Sequence, residues 1–112
     1  MAARQTRTQD VPALNVHGAF IRRTNLSNAD LRGADLSQAD ASGASFKYAD
    51  FEGARMSGTI LKGADLTGAV NLTEKQLAGA IIDEHTVLPA YIDKAKLLNL
   101  IASSRAQSDA RS

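Results

Sequence analysis

A five-residue repeat that runs without a break from Leu14 to Gly68 constrains this chain more than any other feature of its sequence. The third residue is apolar in all eleven units, the first is Ala in eight, and the fifth is Gly in seven. The units read LNVHG, AFIRR, TNLSN, ADLRG, ADLSQ, ADASG, ASFKY, ADFEG, ARMSG, TILKG and ADLTG. At about 100° per residue, a helix would spread these apolar residues around its surface, and a flat strand would send them to alternate faces. We therefore expect each unit to be a short extended side that ends in a corner, so that the chain winds into a coil.

The units resemble those of the pentapeptide repeat family, whose consensus is A(D/N)LXX. The resemblance implies an all-β solenoid, a right-handed quadrilateral parallel β-helix with four units in each coil; the spacing alone leaves open whether a coil has three sides or four. The sequence departs from the consensus at Ala41, a small centre, and at Phe20, Arg55 and Ile60 in the column of Asp and Asn. The predicted structural core is Val16, Ile21, Leu26, Leu31, Leu36, Phe46, Phe51, Met56, Leu61 and Leu66.

The segment after the repeat predicts a cap. Thr73 is expected to be the N-cap of a short helix, with Gln76 at its third position completing a capping box, and Leu77 and Ala80 are expected to point inward. This segment resembles the ending common in the family, a short capping helix followed by a partial further coil. We divide the chain into a polar N-terminal arm predicted to be disordered (1–13), the β-helix with its cap (14–89), an amphipathic helix (90–102) and a disordered tail (103–112).

The C-terminal amphipathic helix offers a wide apolar face. Tyr91, Ala95, Leu98 and Ile101 recur at helical spacing, with further leucines beside them. Two interpretations stay open: the face packs back on its own β-helix, or part of it meets another chain. We take Tyr91, Leu98 and Ile101 as the candidate residues for a dimer or partner contact. We expect weak self-association as a homodimer, through this helix or an end coil, with the Phe20 side as the alternative contact.

A four-sided coil places residues twenty apart on one side, which gives a map of surface charge. One side has a net charge of +2 and also carries two outward apolar residues, whereas the opposite side has a net charge of −2. The candidate interaction face consists of Phe20, Arg22, Arg23, Ile60 and Lys62. The alternative is an ordinary solvated side that tolerates two apolar residues.

The sequence contains no pattern that predicts catalysis. The carboxylates recur on the structural period, there is no Cys, and the two histidines, His17 and His85, lie far apart. No phosphate-binding loop or dinucleotide motif is present. We predict no catalytic residue, no cofactor and no metal site, and we do not expect an enzyme.

The expected function is a non-enzymatic protein-protein interaction or scaffold module whose protein partner is unknown. The alternative is the role known for the quinolone-resistance branch of the family, a DNA mimic that binds DNA gyrase or another DNA-binding protein. The net charge of +1 and the small number of coils disfavour that role, and strong nucleic-acid binding is not expected either. No apolar run is long enough for a membrane span, and we expect a cytoplasmic protein.

Overall fold

The computed structural model describes the backbone of residues 13–111 and the side chains of residues 13–103. The predicted N-terminal arm therefore lies outside the described residues except for Ala13. Parallel β-bridges join the second residues of units that are twenty apart, as between Asn15 and Asp35 and between Asp35 and Arg55. Four units complete one coil, and the chain forms the right-handed quadrilateral β-helix that the family resemblance implies.

We number the sides of the β-helix in chain order. Side 1 holds the units that start at residues 14, 34 and 54, side 2 those at 19, 39 and 59, side 3 those at 24, 44 and 64, and side 4 those at 29, 49 and 69. No extended strand longer than a single bridge occurs in the described part of the chain, because every unit turns a corner after three residues.

Backbone hydrogen bonds join the first coil to the second in the same way on every side. On side 2, the Ile21 N–H donates to the Asp40 carbonyl (2.8 Å), and the Asp40 N–H donates to the Ala19 carbonyl (2.9 Å). A third bond at the corner runs from the Arg23 N–H to the Ser42 carbonyl (2.9 Å). The second residue of each unit thus bonds toward the preceding coil, and its two neighbours bond toward the following one.

The core fills the narrow interior of the coil with one larger side chain and one small one from each side. The predicted centres that are fully buried are Leu31, Leu36, Phe46, Phe51, Met56, Leu61 and Leu66. The Phe46 and Phe51 rings pack with centroids 5.4 Å apart. Thr59 is completely buried in the alanine column, where its hydroxyl donates to the Leu36 carbonyl (2.7 Å), so its polarity is satisfied.

Three predicted core residues of the first coil are less buried than those of the later coils. Val16, Ile21 and Leu26 pack against the core but are only partly buried. No coil of the described chain lies on their N-terminal side, so one edge of each side chain stays open to solvent.

The corners require left-handed backbone conformations. Seven glycines adopt positive φ at the corners of the eleven units, and so do the four other corner residues, among them Gln38 and Tyr48. A larger corner residue lies over the glycine of the following coil: a Cβ added to Gly68 would collide with the Tyr48 ring, and one added to Gly58 would collide with the Gln38 side chain. Glycine at these two positions therefore serves both the backbone conformation and the packing between coils.

Helix α1, Glu74–Ala78, replaces side 1 at the C-terminal end of the coil. Its predicted capping box is confirmed: the Gln76 N–H donates to the Thr73 hydroxyl (3.0 Å), and the Thr73 N–H donates to the Gln76 side chain (2.9 Å). Leu77 is fully buried, as expected. The insertion changes the register, because the next bridge joins Ile60 to Ile81, twenty-one residues on.

Helix α2, Lys94–Arg111, begins four residues later and ends nine residues later than the amphipathic helix predicted for 90–102. The structure continues the helical backbone through the tail expected to be disordered, as far as Arg111. Helices α1 and α2 contact each other, and the completely buried Leu97 joins the core. In the described residues, neither helix combines the length and the apolarity that crossing a membrane requires.

Candidate interaction surfaces

Side 2 carries an outward column that is apolar for most of its length. Bridges connect Phe20 to Asp40, Asp40 to Ile60, and Ile60 to Ile81. Phe20 is 85% exposed and Ile81 44% exposed, while Ile60 is half-buried between its neighbours. We call this column the Phe20 side. Its apolar residues stand where the repeat otherwise places Asp, Asn or Ser.

Basic groups flank the Phe20 side. Arg22 lies with its Nε 3.7 Å from a carboxylate oxygen of Asp40, and both side chains are partly open to solvent. Hydrogen bonds from the Ser42 hydroxyl and N–H hold the pKa of Asp40 below its usual value, and Arg22 and Lys62 act in the same direction. No ion pair within the described side chains involves Arg23 or Lys62. The side is therefore positively charged around an acidic residue that remains ionised.

The acidic charge on side 4 is partly neutralised where it lies. Arg32 donates two hydrogen bonds of 2.8 Å to the two carboxylate oxygens of Asp30, and this pairing raises the pKa of Arg32. The Asn71 amide donates to Asp50 (2.9 Å). These contacts tie the acids of side 4 into local hydrogen bonds, and no continuous row of free carboxylates results.

The aspartates of the repeat have a structural task. In unit after unit the carboxylate accepts a hydrogen bond from the backbone N–H two residues later, as between Asp35 and Ser37 (3.0 Å) and between Asp65 and Thr67 (2.9 Å). Bonds from Ser37 and from Thr67 lower the pKa values of Asp35 and Asp65. Such carboxylates start the corners and stay ionised, which does not suit them to proton transfer at neutral pH.

The two histidines lie on different parts of the surface. His17 is 3.7 Å from Asp35, and His85 is 3.8 Å from Glu84. Within the described residues, no three side chains of His, Asp or Glu come together in a way that could hold a metal ion.

The three residues proposed for the C-terminal contact do not share one surface. The Tyr91 hydroxyl turns toward the β-helix, where it donates to the Ala69 carbonyl (2.6 Å) and accepts from the Leu72 N–H (3.1 Å). Leu98 is 62% exposed and, with the half-buried Ile101, lines a groove of about 400 Å³ between α2 and the last partial coil. Leu97, the residue before it, is completely buried, so Leu98 keeps the exposure that a partner contact requires.

Sequence reasoning did not place Ile81 on the Phe20 side. The repeat stops at Gly68, and α1 lengthens the spacing from twenty residues to twenty-one, so a count by twenties passes over it. The signal was present in Ala80-Ile81-Ile82, which restores the order small, outward and inward of one repeat unit.

Comparison with known proteins agrees with this geometry. A family model described as pentapeptide repeats matches eight copies over residues 15–47, 36–70 and 44–83. The chain belongs to the pentapeptide repeat family, whose members are generally non-catalytic structural or interaction modules.

Two solved structures give further comparisons. The pentapeptide repeat protein Rfr23 from the cyanobacterium Cyanothece 51142 is 32% identical over 70% of this chain, with a TM-score of 0.60. The chain spans 52% of the length of Rfr23. The pentapeptide repeat protein alr5209 from Nostoc Pcc 7120 is 29% identical over 87% of this chain and 92% of its own length, with a TM-score of 0.31. No curated protein matches the chain.

Proposed function

We propose that this chain is a non-enzymatic, protein-binding scaffold and that the Phe20 side contacts its partner. The observation that carries this proposal is Phe20 itself, a large apolar side chain that is 85% exposed at a position where the repeat normally has a polar residue. Arg22, Arg23 and Lys62 surround the apolar column with positive charge, and Ile60 and Ile81 extend it. Apolar residues rimmed by charge are typical of protein-binding surfaces.

The rigid coil supports this role because its outward side chains stand on hydrogen-bonded backbone. On side 2, the first two coils and the second and third coils are each joined by the same three bonds, so its outward column keeps its spacing without a ligand. The proposal places the scaffold in the cytoplasm, a reducing compartment that suits a chain without cysteine. A second copy of the chain is one candidate partner.

Site-specific photo-crosslinking tests the proposal. A chain with p-benzoylphenylalanine in place of Ile60 is irradiated in cells of its native source, beside a matched chain that carries the crosslinker in place of Glu52 on side 4. We expect a discrete adduct from position 60 that is lost when Arg22→Glu and Lys62→Glu are added. An adduct of twice the chain mass would identify a homodimer. Equal adducts from positions 52 and 60, or none from either, would contradict the proposal.

A further inference from the structure

The first described coil ends in an unpaired β-edge on side 2. Among residues 13–111, neither the N–H nor the carbonyl of Phe20 has a hydrogen-bond partner, and neither does the carbonyl of Arg22. The equivalent groups one coil later, on Asp40 and Ser42, bond to the first coil. Since Ile21 and Ala19 already bond toward Asp40, the free groups of Phe20 point away from the β-helix. At this edge, side 2 therefore presents two carbonyl acceptors, on Phe20 and Arg22, and one N–H donor, on Phe20. They have the geometry of the hydrogen bonds between its coils.

The side chains next to this edge combine apolar surface with positive charge. Phe20 is 85% exposed, and Ile21 behind it is only partly buried. Arg22 and Arg23 follow at the corner, and both are exposed. Asp40 is the acid nearest to Arg22, and it sits one coil farther from the edge. A strand that pairs with Phe20 would lie on the side of the arginines that faces away from Asp40.

We propose that this edge binds an acidic, extended segment of a partner protein as an added β-strand. The backbone groups of Phe20 and Arg22 pair with the segment, the Phe20 ring packs on its apolar residues, and Arg22 and Arg23 pair with its carboxylates. The inference rests on the proposed function, since it names the chemistry of the partner on the Phe20 side. A second copy of this chain fits less well, because end-to-end contact would bring the arginines of both copies together.

A peptide of defined chemistry tests the pairing. The probe is a fluorescein-labelled octapeptide of alternating Asp or Glu and Val, compared with the same peptide carrying Lys at every acidic position. Fluorescence anisotropy is expected to show saturable binding of the acidic probe that weakens as salt increases, and no saturation with the Lys peptide. Methylation of alternate backbone nitrogens is expected to weaken binding at least tenfold, because the added strand then lacks its donors.

Matched variants locate the site. Phe20→Ser with Arg22→Ser is expected to lower the affinity for the acidic peptide at least tenfold. The control, Val70→Ser with Lys47→Ser, removes an outward apolar residue and a cation from sides 4 and 3, and we expect its affinity to stay within twofold of the parent. Circular dichroism establishes that both variants are folded.

Three results would overturn the inference: no saturable binding of the acidic peptide, equal loss in the control variant, or equal binding of the methylated peptide. A dimer in sedimentation velocity that Phe20→Ser dissociates would also overturn it, by assigning the edge to a second copy. These results are independent of crosslinking at position 60. An adduct there without peptide binding leaves the scaffold function standing and removes only the strand-addition mode.

Discussion

The two ends of this β-helix differ in how the same coil is finished. At the C-terminal end, Leu77 and Leu97 are buried over the last centres, and polar side chains replace the hydrogen bonds of a missing coil. The Gln76 amide donates to the Phe51 and Ala54 carbonyls (3.0 and 3.1 Å). At the N-terminal end of the described chain, the centres are only partly buried, and backbone groups on side 2 remain unpaired.

The difference shows which end of the described coil is closed and which is open. Capping is required because an open coil presents unpaired backbone groups and an apolar interior, the usual liabilities of a sheet edge. At the C-terminal end, α1 and α2 cover the apolar interior, and Tyr91 bonds to backbone groups that would otherwise be unpaired. Within the described residues, the N-terminal coil has no such cover. Its exposed aromatic residue, Phe20, lies at the unpaired edge of side 2. We therefore connect the open end with recognition and the closed end with stability.

The largest expected effect is the difference in lost stability when Asp replaces each of two centres on side 1. Leu36→Asp buries a carboxylate where the parent residue has no exposed surface, and the cost of several kcal/mol approaches the total stability of a small domain, about 5–15 kcal/mol. We expect thermal unfolding to lose its cooperative transition. Val16→Asp, twenty residues earlier in the same column, is expected to keep a cooperative transition at a lower temperature. Equal behaviour of the two variants would contradict the open first coil.

Two corner glycines make the comparison sharper. Gly18→Ala on the first coil meets no atom within 4 Å and is expected to cost about 1 kcal/mol for its φ of +70° alone. Gly68→Ala must also displace the Tyr48 ring, so we expect a loss of about 3 kcal/mol in urea unfolding. In a Tyr48→Ala background, Gly68→Ala is expected to cost no more than Gly18→Ala. An unchanged cost there would show that the ring does not cover Gly68.

The smallest of the stability effects concerns the closed end. Tyr91→Phe leaves the Ala69 carbonyl and the Leu72 N–H without their partner, and we expect a loss of about 1–2 kcal/mol in the free energy of unfolding. Tyr48→Phe is the matched control, since its hydroxyl has no hydrogen-bond partner among the described residues. A change below about 0.5 kcal/mol is expected for it. Equal values for the two variants would remove Tyr91 from the cap.

Local periodicity explains why the coil and its corners could be predicted from the sequence. Five residues set one side, and the centres follow from that register. The capping box follows from the three-residue spacing of Thr73 and Gln76. The five-residue period could not predict the difference in burial between the two ends. Val16 and Leu36 occupy the same column, and what separates their burial is whether a coil lies above them.

The C-terminal helix shows a second limit. Its consecutive leucines allow more than one apolar face, and the direction in which the chain leaves Pro89 decides that Leu97 and not Leu98 enters the core. The helix also continues past the predicted end at residue 102, because Arg, Ala and Gln in 103–111 favour helical backbone. Residues twenty apart predicted that Phe20 and Ile60 share one side. They did not predict that Ile81 extends this column, since α1 shifts the register before it.

Residue-resolved hydrogen exchange tests the central claim, an open N-terminal end and a closed C-terminal end, most directly. We expect the Phe20 and Asn25 amides to exchange at nearly unprotected rates, whereas the Asp40 and Ser45 amides one coil later are protected by the Ala19 and Thr24 carbonyls (2.9 Å each). The Leu72 amide, held by Tyr91, is expected to be protected as well. Protection of Phe20 and Asn25 equal to that of Asp40 and Ser45, or rapid exchange of Leu72, would contradict the account.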